Sequence, residues 1–200
     1  PVAGGGGTHA AWADFLDFAV VGSGDRIWIA DRNASRVFRI SNVDGLEDPR
    51  RGPYVDIVLG QNNLTDDKVN QGKKSCGPRT LAWAYNVGIS PDGELLISDN
   101  GGECGTDQRI LIYGPGRFPA RPDKCLFADD IGDPDRVIGT GGRLDVPGSA
   151  TEDPTCSPFQ VGISARGTLV AGMNAYAGQR FPLVYLDPKK STQPQMALGD

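Results

Sequence analysis

One pattern returns three times along this chain and restricts what it can fold into. AVVGSGDRIWIAD (Ala19–Asp31), VGISPDGELLISD (Val87–Asp99) and VGISARGTLVAGM (Val161–Met173) superimpose without a gap. Each has an apolar start, a small polar centre containing glycine, and then alternating apolar residues. Strand side chains alternate between faces with a period of two, so each copy reads as two antiparallel strands around a tight turn. The turns fall at Ser23-Gly24-Asp25, Pro91-Asp92-Gly93 and Ala165-Arg166-Gly167. A third strand follows each hairpin: Arg36–Ile40, Arg109–Tyr113 and Phe181–Leu186. A fourth is expected at Val58-Leu59-Gly60-Gln61, Val137-Ile138-Gly139-Thr140 and Ala197-Leu198-Gly199-Asp200.

Each unit is therefore a four-stranded meander, and equivalent second-strand residues Ile27, Leu95 and Leu169 lie 68 and 74 residues apart. That is longer than the roughly 40 to 50 residues of a common propeller blade, and the surplus lies in connections such as Asn62–Pro78 and Gly114–Pro134. A lone meander cannot bury both of its faces. Radial stacking of such sheets around an axis is the usual solution, so the expected fold is all-β, a β-propeller of about three blades over 15–61, 81–141 and 158–200. The innermost strands are Phe18–Gly22, Asn86–Ser90 and Gln160–Ser164, where Gly22, Gly88 and Gly162 suit a crowded axis.

Composition agrees with a turn-rich β chain. Of 200 residues, 28 are glycine and 15 proline, scattered between short β-rich segments. The net charge of −5 and the dispersed Lys and Arg argue against a nucleic-acid surface. No apolar run approaches the roughly 20 residues needed to cross a bilayer, and no signal peptide is evident in a chain that starts at Pro1. Cys76, Cys104, Cys125 and Cys156 have no C-x-x-C spacing and His9 is the sole histidine, so zinc is poorly supplied with ligands. An even cysteine count in a loop-rich chain reads better as two disulfides and an oxidising compartment.

The runs IWIADRNASRVFRI, VDIVLGQNNLTDDKVNQG and LLISDNGGECGTDQRILIYG resemble the NHL-repeat β-propellers, especially bacterial extracytoplasmic members with long repeats and a "VLGQ" outer strand. The third copy departs: Gly172-Met173 replaces the expected AD or SD pair, and Pro182 interrupts a strand. The resemblance implies a six-bladed ring and an extracellular or periplasmic location. Closed propellers have about four to eight blades, so a segment of a longer chain is the expectation, with completion by further copies or an open arrangement as alternatives. In such a blade the entry loop and the loop between the second and third strands share a face, which favours a Cys76–Cys104 bridge and leaves Cys125–Cys156. Four cysteines nonetheless allow three connectivities, and an unbridged pair stays open.

Asp31 and Asp99 end second strands, and Arg36, Arg109 and Arg180 open third strands. Carboxylates at a repeated position more readily accept turn N–H bonds or pair with those arginines than perform catalysis. Asp129, Asp130, Asp133 and Asp135 supply enough oxygens to raise calcium as a weak candidate cofactor, but lack EF-hand spacing; a solvated acidic loop is the plainer reading. Asn33-Ala34-Ser35 and Asn63-Leu64-Thr65 fit a glycosylation triplet and are read as unmodified. GGGGTHAAW around His9 lacks phosphate-loop context and reads as an entry segment. Trp12, Trp28 and Trp83 are expected to pack between or beneath blades, unless one on the loop face serves a binding surface.

With no nucleophile and base set, the leading expectation is a non-enzymatic scaffold that binds protein or glycan partners or assembles with itself. Alternatives are a propeller lyase or hydrolase with a metal on the axis, implied by the resemblance, and a subunit of an extracellular filament.

Overall fold

Glycine at each turn, joined by aspartate in the first two, lets the flanking alternating segments pair back on themselves, and the computed structural model places these pairs in three antiparallel four-stranded sheets. Residues 18–22, 24–46, 48–74, 76–101, 109–139, 158–173, 183–190 and 196–197 are described. The first sheet runs in order β1 (Phe18–Gly22), β2 (Arg26–Asp31), β3 (Arg36–Ser41) and β4 (Tyr54–Leu59). The second contains β5 (Ala84–Ile89), β6 (Leu95–Asp99), β7 (Arg109–Tyr113) and β8 (Arg136–Ile138). The third contains β9 (Pro158–Ile163), β10 (Leu169–Met173), β11 (Leu183–Tyr185) and β12 (Met196–Ala197). Among the described residues no closed barrel forms. Among the described residues, no helix is long and apolar enough to cross a membrane.

The sheets pack face to face with their first strands adjacent: β1 and β2 lie on β5, and β5 and β6 lie on β9. Alternation sends Val87, Leu95, Ile97, Leu111 and Tyr113 of the second sheet against Trp28, Ala30, Val37, Ile57 and Leu59 of the first. The other face carries Leu96, Ile110 and Ile112 against Val161, Leu169, Ala171 and Tyr185 of the third. Covered on both sides, β6 and β7 are buried at every position, which is why Leu95-Leu96-Ile97 and Ile110-Leu111-Ile112-Tyr113 are consecutive apolar residues. Each such Leu or Ile contributes about 1.5–3 kcal/mol by leaving water.

The gapless superposition is off by one residue on the first strand. Val20 pairs with Ile29, whereas Val87 pairs with Ile97 and Val161 with Ala171. Val20, rather than Ala19, is thus the equivalent of Val87 and Val161. The cause is the first hairpin turn, one residue shorter between Gly22 and Ile27 than between Ile89 and Leu95.

The connection from β7 to β8 is more than surplus. It contains a 3-10 turn (Pro115–Arg117) and a short helix α1 (Ala128–Ile131), and it folds back onto the first sheet. Leu126 bridges Ile57 in parallel, with Val58 N donating to Leu126 O at 2.8 Å and Leu126 N to Asp56 O at 2.8 Å. Thr80 similarly bridges Gly60. The outer edge of β4 is thereby paired, which removes an invitation to strand-by-strand aggregation. Phe118 fills the seam, 4.7 Å from Trp28 and 5.7 Å from Tyr113 between ring centroids. Beside it lies an ion pair that the sequence does not announce. Arg39 donates to Asp56 through Nε at 2.9 Å and Nη2 at 2.6 Å, and to Pro119 O at 2.8 Å, with both side chains buried.

The recurring Gly of the "VLGQ" and "VIGT" stretches has a backbone reason. Gly60 and Gly139 sit at φ of 87° and 107°, a region that side chains disfavour. At Gly60 a Cβ would also lie 2.6 Å from Ser35 O and 2.7 Å from Leu81 Cδ1. Buried Gln61 then ties three chain segments, its Nε2 facing Ala34 O, Ser35 O and Lys68 O at 3.2, 3.3 and 2.9 Å.

Candidate functional site

The β2–β3 turn and the chain entering β5 meet on one side of the junction between the first two sheets. Ser35 Oγ donates to Ala82 O at 2.5 Å and fixes their separation. The turn carries Arg32, the entry carries Trp83, and β5 carries Tyr85. The Arg32 guanidinium carbon stands 4.3 Å from the Tyr85 ring centroid and 5.3 Å from that of Trp83. The two rings are 6.4 Å apart and nearly perpendicular at 72°. All three residues are half-buried, and Asn33 beside them is exposed.

Asp99 braces this cluster from behind. Its Oδ1 accepts from Ala82 N at 2.8 Å and Trp83 N at 3.3 Å, while Asn100 N donates to Trp83 O at 3.0 Å. Its Oδ2 accepts from Arg109 Nε at 3.0 Å, and both side chains of the pair are fully buried. Arg109 Nη2 continues to Gly77 O and Thr80 O at 3.0 and 2.9 Å, so one arginine holds the entry loop against the second sheet. In the first sheet, Arg36 Nε donates to Asp31 at 3.0 Å and Arg36 Nη1 to Leu64 O at 2.7 Å. Ala34 N donates to Asp31 Oδ1 at 3.2 Å. Asp31, Arg36, Asp99 and Arg109 therefore share one bracing geometry; Arg180 lies outside the described residues.

Rings fixed in this way offer flat apolar edges and faces, and the guanidinium adds positive charge with directed N–H donors. The arrangement suits stacking against a sugar face or a peptide group.

The acidic loop does not gather its carboxylates into a metal site. Asp133 and Asp129 accept from Arg79 at 2.7 and 3.3 Å, and Asp129 also from Asn62 at 2.8 Å. Asp130 accepts from Phe127 N at 3.0 Å and Lys124 at 3.3 Å, bonds that lower its pKa in that order. Asp135 is paired to Arg117 at 2.7 Å, and this hydrogen bond holds its carboxyl below the usual value. Arg79 thus holds Asp129 and Asp133, Lys124 and the helix start hold Asp130, and Arg117 holds Asp135; among the described residues no group of three or more His, Cys, Asp or Glu could hold a metal.

Of the cysteines, Cys76 is buried and Cys125 half-buried, and they are not bonded to each other. Burial, followed by the charges of Asp56 and Asp130, pushes the Cys125 thiol up to about 11. Both expected bridges involve Cys104 or Cys156, which lie outside the described residues, as does His9.

A second concavity, about 250 Å³, opens between the second and third sheets. It is stitched across by Arg136 to Pro188 O at 2.6 Å and Lys189 to Asp92 at 2.5 Å, with Arg136 also paired to Glu94 at 2.8 Å. These contacts read as a seam. The sequence leaves Trp83, like Trp12 and Trp28, open to a surface role, while Arg32 and Tyr85 carry no signal because their meeting depends on how two sheets abut.

No protein-family model and no curated protein matches the chain. Among solved structures it is similar to Kuenenia stuttgartiensis hydrazine synthase, with a TM-score of 0.50 and 16% identity over 90% of this chain and 36% of that one. The chain thus spans about a third of that neighbour's length, and the likeness concerns the fold alone.

Proposed function

We propose that the three sheets are blades of a β-propeller, part of a six-bladed ring, and that the molecule is a non-enzymatic extracytoplasmic scaffold that binds a protein or glycan partner. The adjacency of β1, β5 and β9 supports the first part, because radially arranged meanders bring their innermost strands together. The extracytoplasmic setting rests on the NHL-like repeats. The observation that carries the binding role is the Arg32–Trp83–Tyr85 cluster. It is half-open to solvent, yet braced by the fully buried Asp99–Arg109 pair. Rigid aromatic residues beside an arginine are the usual makings of a binding hot spot, since little side-chain freedom is lost when a partner docks.

The test is a panel of oligosaccharides and peptides titrated into the protein, read by tryptophan fluorescence and calorimetry. At least one probe should bind the native chain and lose at least tenfold in affinity in a Trp83→Ala, Tyr85→Ala double variant, in line with hot-spot losses of about 2 kcal/mol. Binding that survives both substitutions would place the function elsewhere.

A further inference from the structure

The register exposes a contact that the chain makes internally and leaves half-made at each end. Val161 of β9 sits on Gly88 of β5: a Cβ built on Gly88 would lie 3.5 Å from Val161 Cγ2 and 3.7 Å from Val161 O. Beside it, Val161 N donates to Asn86 Oδ1 at 3.4 Å. One sheet back, Val87 takes the place of Val161 and packs in the core with Val21, which takes the place of Gly88. In both junctions a valine on the first strand of one sheet meets a small or apolar residue on the first strand of the sheet before it.

Val20 and Gly162 complete the series. Val20 pairs with Ile29 as Val87 pairs with Ile97, yet it is 48% exposed where Val87 is 5% and Val161 9%. Its neighbours on that face, Ile27 and Ile29, are half-buried, whereas their counterparts Leu95, Ile97, Leu169 and Ala171 are buried. At the other end Gly162 pairs with Val170 as Gly88 pairs with Leu96. A Cβ on Gly162 would meet nothing within 4 Å. Val170 is half-buried, whereas Leu96 is only 1% exposed. Gln160 holds the backbone register position of Asn86.

We propose that a second copy of this chain docks head to tail, with Val20 of one copy seated on Gly162 of the other and first-sheet residues Ile27 and Ile29 facing Val170. The occupant follows from continuity: the two free faces are the two halves of an interface already formed twice within the chain. A heterologous contact of this kind closes on two copies when each contact turns the chain by half a revolution. Resting on the blade reading above, two copies of three blades complete the six-bladed ring.

Light scattering on the full chain at micromolar concentration should give about twice 21.2 kDa. Val20→Lys and Gly162→Leu alter opposite ends at positions with room, so each should keep its far-UV circular dichroism and lose the dimer. Mixing the two variants should restore association at raised concentration, because one junction then joins an intact Val20 to an intact Gly162. A monomeric wild-type chain, a dimer indifferent to either substitution, or a mixture no different from its components would overturn the contact. Electron-microscopic class averages separate the two ideas: a dimer that responds to both variants but lacks six wedges keeps the contact and sinks the blade reading.

Discussion

At Gly60 a positive φ and two close neighbours coincide, so Gly60→Ala meets both backbone strain and a clash with Ser35 O and Leu81. Strain of this kind costs roughly 1–3 kcal/mol before the clash is added, so urea unfolding should register a loss of at least about 2 kcal/mol. The Asp99–Arg109 pair is fully buried, and Arg109→Leu leaves a carboxylate without its cation. Removing one member of a buried pair costs about 3–5 kcal/mol. Arg36→Leu should cost less, because Arg36 and Asp31 remain about a tenth exposed; equilibrium unfolding of both variants checks the ranking. Asp135 gives a pH signature. Arg117 depresses its folded pKa, so the pair stabilises above the unfolded carboxylate value of about 3.9, and the contribution fades as pH falls through the folded value. The difference in melting temperature between the native chain and Asp135→Asn should therefore be present at neutral pH and vanish in acid.

Among the elements, the segment around Leu126 does the unexpected work. Leu126→Pro deletes the N–H that reaches Asp56 O and should loosen the bridge to β4. The expected outcome is faster hydrogen exchange at the Val58 amide, a loss of about 1 kcal/mol, and greater aggregation as an edge is bared. The strands were legible because alternation, β-branched residues and glycine turns agreed over each unit. The segment was not, because its docking joins residues far apart in sequence through single hydrogen bonds and one phenylalanine. Nor was the Arg39–Asp56 pair, whose partners meet across the β3–β4 register at an irregularity between Arg39 and Ile40. The partners of the acidic loop were equally hidden: four carboxylates adjacent in sequence say nothing of Arg79, which takes Asp129 and Asp133, of Lys124, which takes Asp130, or of Arg117, which takes Asp135.

For the molecule as a whole, three sheets repeat one architecture while their joints differ. The first junction is sealed by paired aromatic rings and a buried ion pair, the second by aliphatic side chains around the single ring of Tyr185 and by exposed charges at Lys189 and Asp92. Salt should therefore loosen the second joint more than the first, because exposed charges are screened and buried ones are not. Hydrogen exchange at high ionic strength should rise around β9 and β10 and stay unchanged in β2 and β3. The repeat was legible in the sequence; which joint carries aromatics and which carries charges was not, since it depends on connections outside the repeated pattern.

Because Leu126 supplies the last bonds to β4, the first sheet cannot finish when its own four strands have left the ribosome. Its flank stays bare until the β7–β8 connection emerges. A nascent chain paused between those two points would expose a sticky border to its neighbours, and slow translation there would favour clumping over assembly.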